Sequence, residues 1–116
     1  MMRRGDIWLV DLNPVHGSEA NKIRPAVVVS NDRANTAAVR LGQGVVTVVP
    51  VTSNVTRVYP FQVLLAADAS GLSTAGKAQA EQVRSVAVER LTRFLGRVAA
   101  SELALLDDAL RLHLDL

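Results

Sequence analysis

Short apolar runs separated by polar turns occupy the first half of the chain. Runs with strand character lie at 6–12, 26–31, 44–51 and 58–67. Each is rich in Val, Leu or Ile and is bounded by Asn, Asp, Gly, Ser or Pro, a pattern typical of β-strands. The run 26–31 starts with four apolar residues and no alternation, which indicates a strand buried on both faces. The segment 32–40 is polar and rich in alanine, and it predicts one helical turn capped by Asn31 or Asp32.

The second half of the chain mixes helix and strand signals. Residues 78–84 combine helix-favouring Ala, Glu and Gln with polar–apolar alternation, and we favour a strand there. Residues 87–96 predict a short helix with Gly96 just past its end. Residues 102–114 predict a terminal helix, with Ser101 as its N-cap and an acidic residue in its first turn.

The predicted terminal helix carries two apolar stripes on nearly opposite sides. The first stripe consists of Leu103, Leu106, Leu110 and Leu114, and the second of Leu105, Ala109, Leu112 and Leu116. A helix that lies on a small barrel needs one apolar stripe to reach the core. The second stripe therefore predicts a surface for a partner.

The order of these elements predicts the fold class. Several short strands joined by turns and followed by helices favour a mainly β protein with C-terminal helices, built as a small antiparallel barrel. A length of 116 residues suits a single domain, 1–116. Since aromatic residues make up only 3% of the chain, the core must consist of Val, Leu and Ala.

Charge and composition narrow the functional classes. The net charge is +2, and residues 1–60 hold seven basic and four acidic side chains, a net of +3. An anion site is therefore expected in the N-terminal half. The absence of cysteine excludes disulfide scaffolds and thiol catalysis. The N-terminus lacks the pattern of a signal peptide, and no apolar run approaches the roughly 20 residues of a membrane helix, so we expect a cytoplasmic protein.

Candidate chemical groups cluster at two predicted strand ends. Before the second strand stand Ser18, Glu19, Lys22 and Arg24, and after the third strand stand Thr52, Ser53 and Asn54. In an antiparallel barrel the start of one strand can lie beside the end of its neighbour, so the two clusters could converge. A rim salt bridge for Arg24 and an ordinary turn at 52–54 remain the alternatives. His16 and His113 lie far apart, no metal-ligand spacing or phosphate-binding glycine loop is present, and His16 alone is typical of a solvated loop.

Six segments in order carry a family resemblance. They are RRGDIWLVDLNPVHGSEANKIRPAVVVSND, VVPVTSN, VYPFQVLL, AEQVRSV, ERL and the leucine-rich end. Together they resemble the MazF/PemK toxins, bacterial endoribonucleases of toxin–antitoxin pairs. The resemblance implies an SH3-like barrel with a terminal helix, a homodimer, and cleavage of single-stranded RNA at specific sites without a metal or cofactor. It also implies a MazE-like antitoxin as partner.

The resemblance assigns roles to single residues. The arginine of the family's RP step matches Arg24 and the threonine of its TS step matches Thr52, the two residues that the family uses for cleavage. The candidate RNA-binding residues are Gly17, Ser18, Glu19, Lys22, Ser53, Asn54 and Gln82. Loop positions 19–23 and 72–80 vary among members, so the recognised base sequence does not transfer.

The residue chemistry agrees with metal-free RNA cleavage. RNA supplies its own 2′-hydroxyl nucleophile, and a guanidinium such as that of Arg24 can donate two parallel bonds to phosphate oxygens. Thr52 is a poor general base and is interpreted as a donor or proton relay to the leaving oxygen. Two alternatives remain: a CcdB-like gyrase-binding toxin, and a non-catalytic RNA-binding barrel in which Tyr59 would stack on a base.

Overall fold

The computed structural model describes every residue from Met1 to Leu116 and contains seven strands and two α-helices. The strands are β1 (Asp6–Asp11), β2 (Ile23–Val28), β3 (Val45–Thr52), β4 (Gln62–Leu65), β5 (Gly76–Gln79), β6 (Arg84–Ala87) and β7 (Leu91–Arg97). The helices are α1 (Asp32–Leu41) and α2 (Ala100–Leu114), and single 3-10 turns lie at Asp68–Ser70, Ala80–Gln82 and Val88–Arg90. No helix is long and apolar enough to cross a membrane.

The strands form one antiparallel sheet with the order β4-β5-β3-β2-β1-β7. The long strand β3 is shared: its first half pairs with β6 and its last two residues pair with β5. Because β4 and β7 do not pair with each other, the barrel stays open between them. The predicted mainly β, antiparallel fold with a terminal helix is confirmed.

Apolar side chains fill both faces of the central strands. The α2 core consists of Ile7, Val27, Val49, Val51, Val63, Leu65, Ala78, Ala80, Val98, Leu106 and Ala109. The α1 core consists of Met2, Val10, Leu12, Ala26, Val28, Ala38, Val46, Val48 and Val86. Neighbouring residues of β2 enter different cores, since Val27 belongs to the first and both Ala26 and Val28 to the second. The prediction that this strand is buried on both faces is confirmed.

The boundaries of several predicted elements need correction. The second strand begins at Ile23 and ends at Val28, not at 26–31, so that Arg24 lies inside a strand. The segment 32–40 lies in the ten-residue helix α1 instead of forming one turn. The predicted cap Asn31 is confirmed, since its Oδ1 accepts the Ala34 N–H at 2.9 Å. The strand predicted at 58–67 shrinks to β4, because a turn at Pro60 and Phe61, closed by the bond from the Gln62 N–H to the Tyr59 carbonyl, precedes it.

Two predictions in the second half of the chain are wrong. The strand at 78–84 is instead the end of β5, a 3-10 turn and the first residue of β6. The helix at 87–96 is instead a 3-10 turn followed by β7, in which Gly96 is a strand residue. Its backbone pairs with β1, and this pairing with a distant strand overrides the local helical pattern.

The terminal helix also starts earlier than predicted. It begins at Ala100, so Ser101 is not the N-cap, and the N–H of Ala99 donates to the Glu102 carboxylate at 2.9 Å. In the first stripe, Leu106 is buried and Leu103 and Leu110 pack against the α2 core, whereas Leu114 is exposed. In the second stripe, Ala109 is buried in the same core, while the three leucines Leu105, Leu112 and Leu116 are 57%, 58% and 85% exposed.

Candidate functional site

A cavity of about 460 Å³ opens where β2 begins and β3 ends, facing residues 71–76. Its lining consists of Arg24, Pro25, Val51, Thr52, Ser53, Gly71, Leu72, Ser73, Thr74, Ala75, Gly76, Arg93 and Leu95. The structure therefore brings Arg24 and Thr52, the two predicted catalytic residues, to one cavity together with Ser53. The predicted convergence of the two strand ends is confirmed for these three residues, whereas Ser18, Glu19, Lys22 and Asn54 do not line the cavity.

The register of the sheet explains this convergence. In the β2–β3 ladder Ala26 pairs with Pro50 and Val27 with Val49. Continued by two positions in the antiparallel direction, the same register sets Arg24 across from Thr52. The pair thus joins the start of one central strand to the end of its neighbour.

Arg24 is held by its own chain and not by an ion pair. Its Nε donates to the Asn21 carbonyl at 2.7 Å, and one terminal nitrogen donates to the Asn21 side-chain oxygen at 3.4 Å. The three ion pairs of the structure involve other side chains, so the alternative of a rim salt bridge is wrong. The half-buried guanidinium keeps its other terminal nitrogen without a protein partner and can donate to an anion.

Thr52 is the last residue of β3 and pairs with Lys77 of β5. Its Oγ1 accepts the N–H of Asn54 at 3.3 Å, and the Asn54 side chain in turn accepts the N–H of Thr56 at 3.2 Å. The turn after β3 is therefore stabilised by its own side chains. Ser53 and Asn54 remain exposed, and the Thr52 hydroxyl can still donate its proton to a ligand.

The predicted residues Gly17, Ser18, Glu19 and Gln82 form a second group outside the cavity. Both polar atoms of the Gln82 side chain form hydrogen bonds with the 17–20 loop. Its Oε1 accepts the Ala20 N–H at 2.8 Å, and its Nε2 donates to the Ser18 carbonyl at 3.1 Å. Gln82 therefore attaches the 17–20 loop to the barrel. A direct contact of Gln82 with RNA stays a prediction, and its observed bonds indicate that it positions the loop.

In the chain, Lys22 stands between the 17–20 loop and Arg24. It is exposed and has a φ of 68°, and its N–H donates to the Asn13 side chain at 3.1 Å. This bond ties the backbone to Asn13 two residues before Arg24. Neither Lys22 nor Asn54 lines the cavity.

A cationic and aromatic cluster lies on the other side of Thr52. Lys77 is only 8% exposed, and its Nζ donates to the Arg57 carbonyl at 2.6 Å. The Arg57 guanidinium lies 4.6 Å from the centre of the Tyr59 ring, and that ring stacks on Phe61 at 5.3 Å. Because Arg57 and Phe61 both contact the ring, a base could stack on Tyr59 only by displacing one of them.

Glu81 connects this cluster to the Gln82 segment. Its Oε2 accepts the Gln62 side chain at 2.7 Å, and Gln62 also accepts the N–H of Tyr59 at 3.1 Å. The second carboxylate oxygen of Glu81 is buried without a partner. This chain of bonds couples the turn before β4 to the turn before β6.

The sequence missed two parts of the cavity. The segment 72–80, which includes most of the 71–76 wall, has no chemistry assigned by the sequence analysis, and the predicted helix 87–96, which includes Arg93, is a strand. The missing signal for Arg93 is the pairing of β7 with β1, which is not visible in local periodicity. No group of three or more His, Asp or Glu side chains lies close enough to hold a metal ion.

Comparisons with known proteins give consistent results. Residues 3–114 match the family described as the PemK-like, MazF-like toxin of type II toxin–antitoxin systems. The chain is 71% identical over 116 residues to Endoribonuclease MazF9 of Mycobacterium tuberculosis. That alignment covers 100% of this chain and 98% of MazF9. The structure of MazF from Deinococcus radiodurans superimposes with a TM-score of 0.81 at 28% identity, covering 99% of this chain and 97% of that one. A MazE–MazF complex from the same species gives a TM-score of 0.72 at 26% identity, covering 98% and 96%.

Proposed function

Because the chain belongs to the PemK-like and MazF-like toxins of type II toxin–antitoxin systems, we propose that it cleaves single-stranded RNA at short specific sequences without a metal ion. That it is an endoribonuclease follows from its full-length similarity to MazF9. The finer proposal rests on one observation, the shared cavity of Arg24 and Thr52. Messenger RNA in the cytoplasm is the proposed substrate.

The proposed reaction uses the RNA's own nucleophile. The 2′-oxygen forms a bond to the adjacent phosphorus, the bond from phosphorus to the 5′-oxygen breaks, and the 2′-proton passes to water. The products are a 2′,3′-cyclic phosphate and a 5′-hydroxyl. Arg24 stabilises the negative charge that grows on the phosphorane oxygens, since a fixed guanidinium stabilises such charge without reorganisation. The Thr52 hydroxyl donates or relays a proton to the leaving 5′-oxygen.

The 17–20 loop provides the second part of the RNA surface in this proposal. Gly17, Ser18 and Glu19 are exposed, and the two hydrogen bonds of Gln82 keep the loop backbone in place. The Ser18 hydroxyl and the Glu19 carboxylate can form hydrogen bonds with base edges, and the Lys22 ammonium can bind phosphates of the RNA backbone.

A disordered acidic tail of an antitoxin is the proposed inhibitor. The related MazE–MazF complex of Deinococcus radiodurans shows that a MazF forms a complex with MazE. An acidic tail would cover the positive surface near Arg24 and Lys22 and would fold as it binds. Bound antitoxin should therefore displace a labelled RNA oligonucleotide, and a stable complex that still cleaved RNA at full rate would contradict this proposal.

We also propose a homodimer. The exposed leucines Leu105 and Leu112 of α2, with Leu116 just past its end, form an apolar strip that nothing in one chain covers. An isologous contact through this strip would bury it. Analytical ultracentrifugation at about 10 μM should give the mass of two chains, because a dimer with an apolar interface of ordinary size has a dissociation constant below this concentration. A monomer would contradict the assignment.

The cleavage proposal is tested with purified protein, a long RNA and excess EDTA. Fragments should appear at an unchanged rate, with cyclic phosphate at the 3′ ends and hydroxyl at the 5′ ends. A gyrase-binding toxin or a silent RNA-binding barrel would leave the RNA intact. Loss of cleavage in EDTA that returns with added magnesium would show that the metal-free mechanism is wrong.

A further inference from the structure

The cavity that holds Arg24 contains a second guanidinium, that of Arg93 on β7. Building on the RNA cleavage proposed above, we propose that Arg93 binds the phosphate next to the one held by Arg24. It would thereby fix the direction in which the RNA strand crosses the cavity. Its role is to bind and position the substrate, while Arg24 and Thr52 act at the scissile phosphate.

The sheet register places the two arginines on neighbouring rows. Leu9 of β1 pairs with Arg93 on one side and with Pro25 on the other, and Pro25 directly follows Arg24. Since adjacent strands lie about 4.8 Å apart, the backbones of β7 and β2 at this row are separated by roughly 10 Å. Because successive side chains of a strand point to opposite faces, Arg93 leaves the sheet on the face of Pro25 and Arg24 leaves it on the other. Contacts with two separate phosphates fit this arrangement better than a joint contact with one.

Arg93 is available for a ligand, unlike other arginines near it. Arg97 pairs with Asp6, and Arg90 donates to the carbonyls of Asp11 and Asn13. Arg93 forms no side-chain hydrogen bond and no ion pair, and it is exposed. Its guanidinium thus has no structural bond to give up when an anion binds.

The chemistry of the cavity lining favours an anionic chain. Its charged residues are Arg24 and Arg93, and no carboxylate lines it. Four hydroxyl residues also line it, namely Thr52, Ser53, Ser73 and Thr74. Each nucleotide of a single-stranded RNA brings one phosphate, so a strand that places one phosphate on Arg24 brings the next into reach. Charge complementarity therefore points to the backbone of RNA as the occupant.

Two glycines give the cavity a fixed wall. A Cβ on Gly71 would lie 2.0 Å from the Leu95 carbonyl oxygen, and a Cβ on Gly76 would lie 2.8 Å from a methyl of Val51 and 3.0 Å from the Thr52 carbonyl oxygen. The 71–76 segment is therefore packed tightly against β7 at one end and β3 at the other. The distance between the Arg93 side and the Thr52 side of the cavity is thereby set by packing.

The test measures binding as a function of salt. The probe is a cleavable-site oligoribonucleotide with deoxyribose at the scissile position, so that binding is seen without reaction. For Arg93→Ala, the slope of log K against log salt should become shallower by about 0.7, the value for one phosphate contact in a single strand. Affinity at low salt should fall about tenfold, as expected for one lost charged hydrogen bond. Arg93→Lys should keep most of the slope.

Arg40→Ala is the matched control, because Arg40 is an exposed arginine on α1 that does not line this cavity. It should leave the slope and the affinity unchanged. With intact RNA, Arg93→Ala should raise KM more than it lowers kcat. A double variant, Arg24→Ala with Arg93→Ala, should lose about twice the slope of either single variant.

Three outcomes would overturn the inference. Arg93→Ala could bind the probe with the wild-type slope, or the double variant could lose no more slope than one single variant, which would mean one shared phosphate. The variant could also lose affinity for an acidic peptide alone and keep it for RNA, which would make Arg93 part of an inhibitor surface. Each of these leaves wild-type cleavage intact, whereas failure of the proposed function would show as no RNA cleavage by the wild type.

Discussion

Replacing Arg24 by alanine is expected to lower the rate of RNA cleavage by about 10²–10³-fold, the effect of removing one fixed electrostatic stabiliser from a transition state. The guanidinium is half-buried at the cavity, and both of its observed hydrogen bonds run to Asn21. Its removal therefore takes away the charge at the proposed phosphate site and little of the core. Single-turnover cleavage of a defined oligonucleotide measures the rate.

Further variants at Arg24 and at Thr52 extend this prediction. Arg24→Lys should recover only part of the rate, since a point charge cannot donate two parallel bonds. Thr52→Ala should lower kcat, while Thr52→Ser should keep much of it because it retains the hydroxyl. Since Thr52 also accepts the Asn54 N–H, a merely structural role would appear as a raised KM with little change in kcat.

Thermal unfolding separates chemistry from folding in these variants. Loss of the Asn21 bonds should cost about 1 kcal/mol of the free energy of unfolding, so Arg24→Ala should stay folded at assay temperature. Arg24→Ala with wild-type cleavage would show that the charge at the phosphate comes from elsewhere in the cavity. An unfolded Arg24→Ala would instead show that the residue belongs to the core.

The sequence predicted the centre of the fold better than its edges. The strands around Ile7, Val27 and Val49 are marked by apolar runs that both cores require, and their existence follows from local pattern alone. The strand β7 was missed because its partner β1 lies more than 80 residues away in the chain. Residues 87–96 have a helical pattern, and only the free edge of β1 explains why they are extended.

The candidate site divides in the same way. The proximity of Arg24 and Thr52 could be predicted from the sequence, because both stand at the ends of strong apolar runs that become neighbouring strands. The position of Arg93 in the cavity could not be predicted, because it depends on β7, the strand that the sequence analysis missed. The role of Gln82 was also hidden, since a glutamine that binds a loop backbone and one that binds RNA look the same in sequence.

A single deoxyribose immediately 5′ to the cleaved bond is expected to abolish cleavage. If the 2′-oxygen is the nucleophile, its removal leaves no group to attack the phosphorus, and no side chain of the cavity replaces it, since Thr52 and the nearby hydroxyls are weak nucleophiles without an adjacent base.

Binding of the substituted oligonucleotide should survive, because the substitution leaves the phosphates proposed to contact Arg24 and Arg93 in place. The matched control carries the deoxyribose one nucleotide further from the cut and should be cleaved at close to the normal rate. Gel analysis of both oligonucleotides at enzyme excess gives the comparison directly. Efficient cutting at the deoxy position would require water or a side chain as the nucleophile and would refute the mechanism, while equal loss of cleavage in both oligonucleotides would mean that the 2′-hydroxyls serve recognition instead of attack.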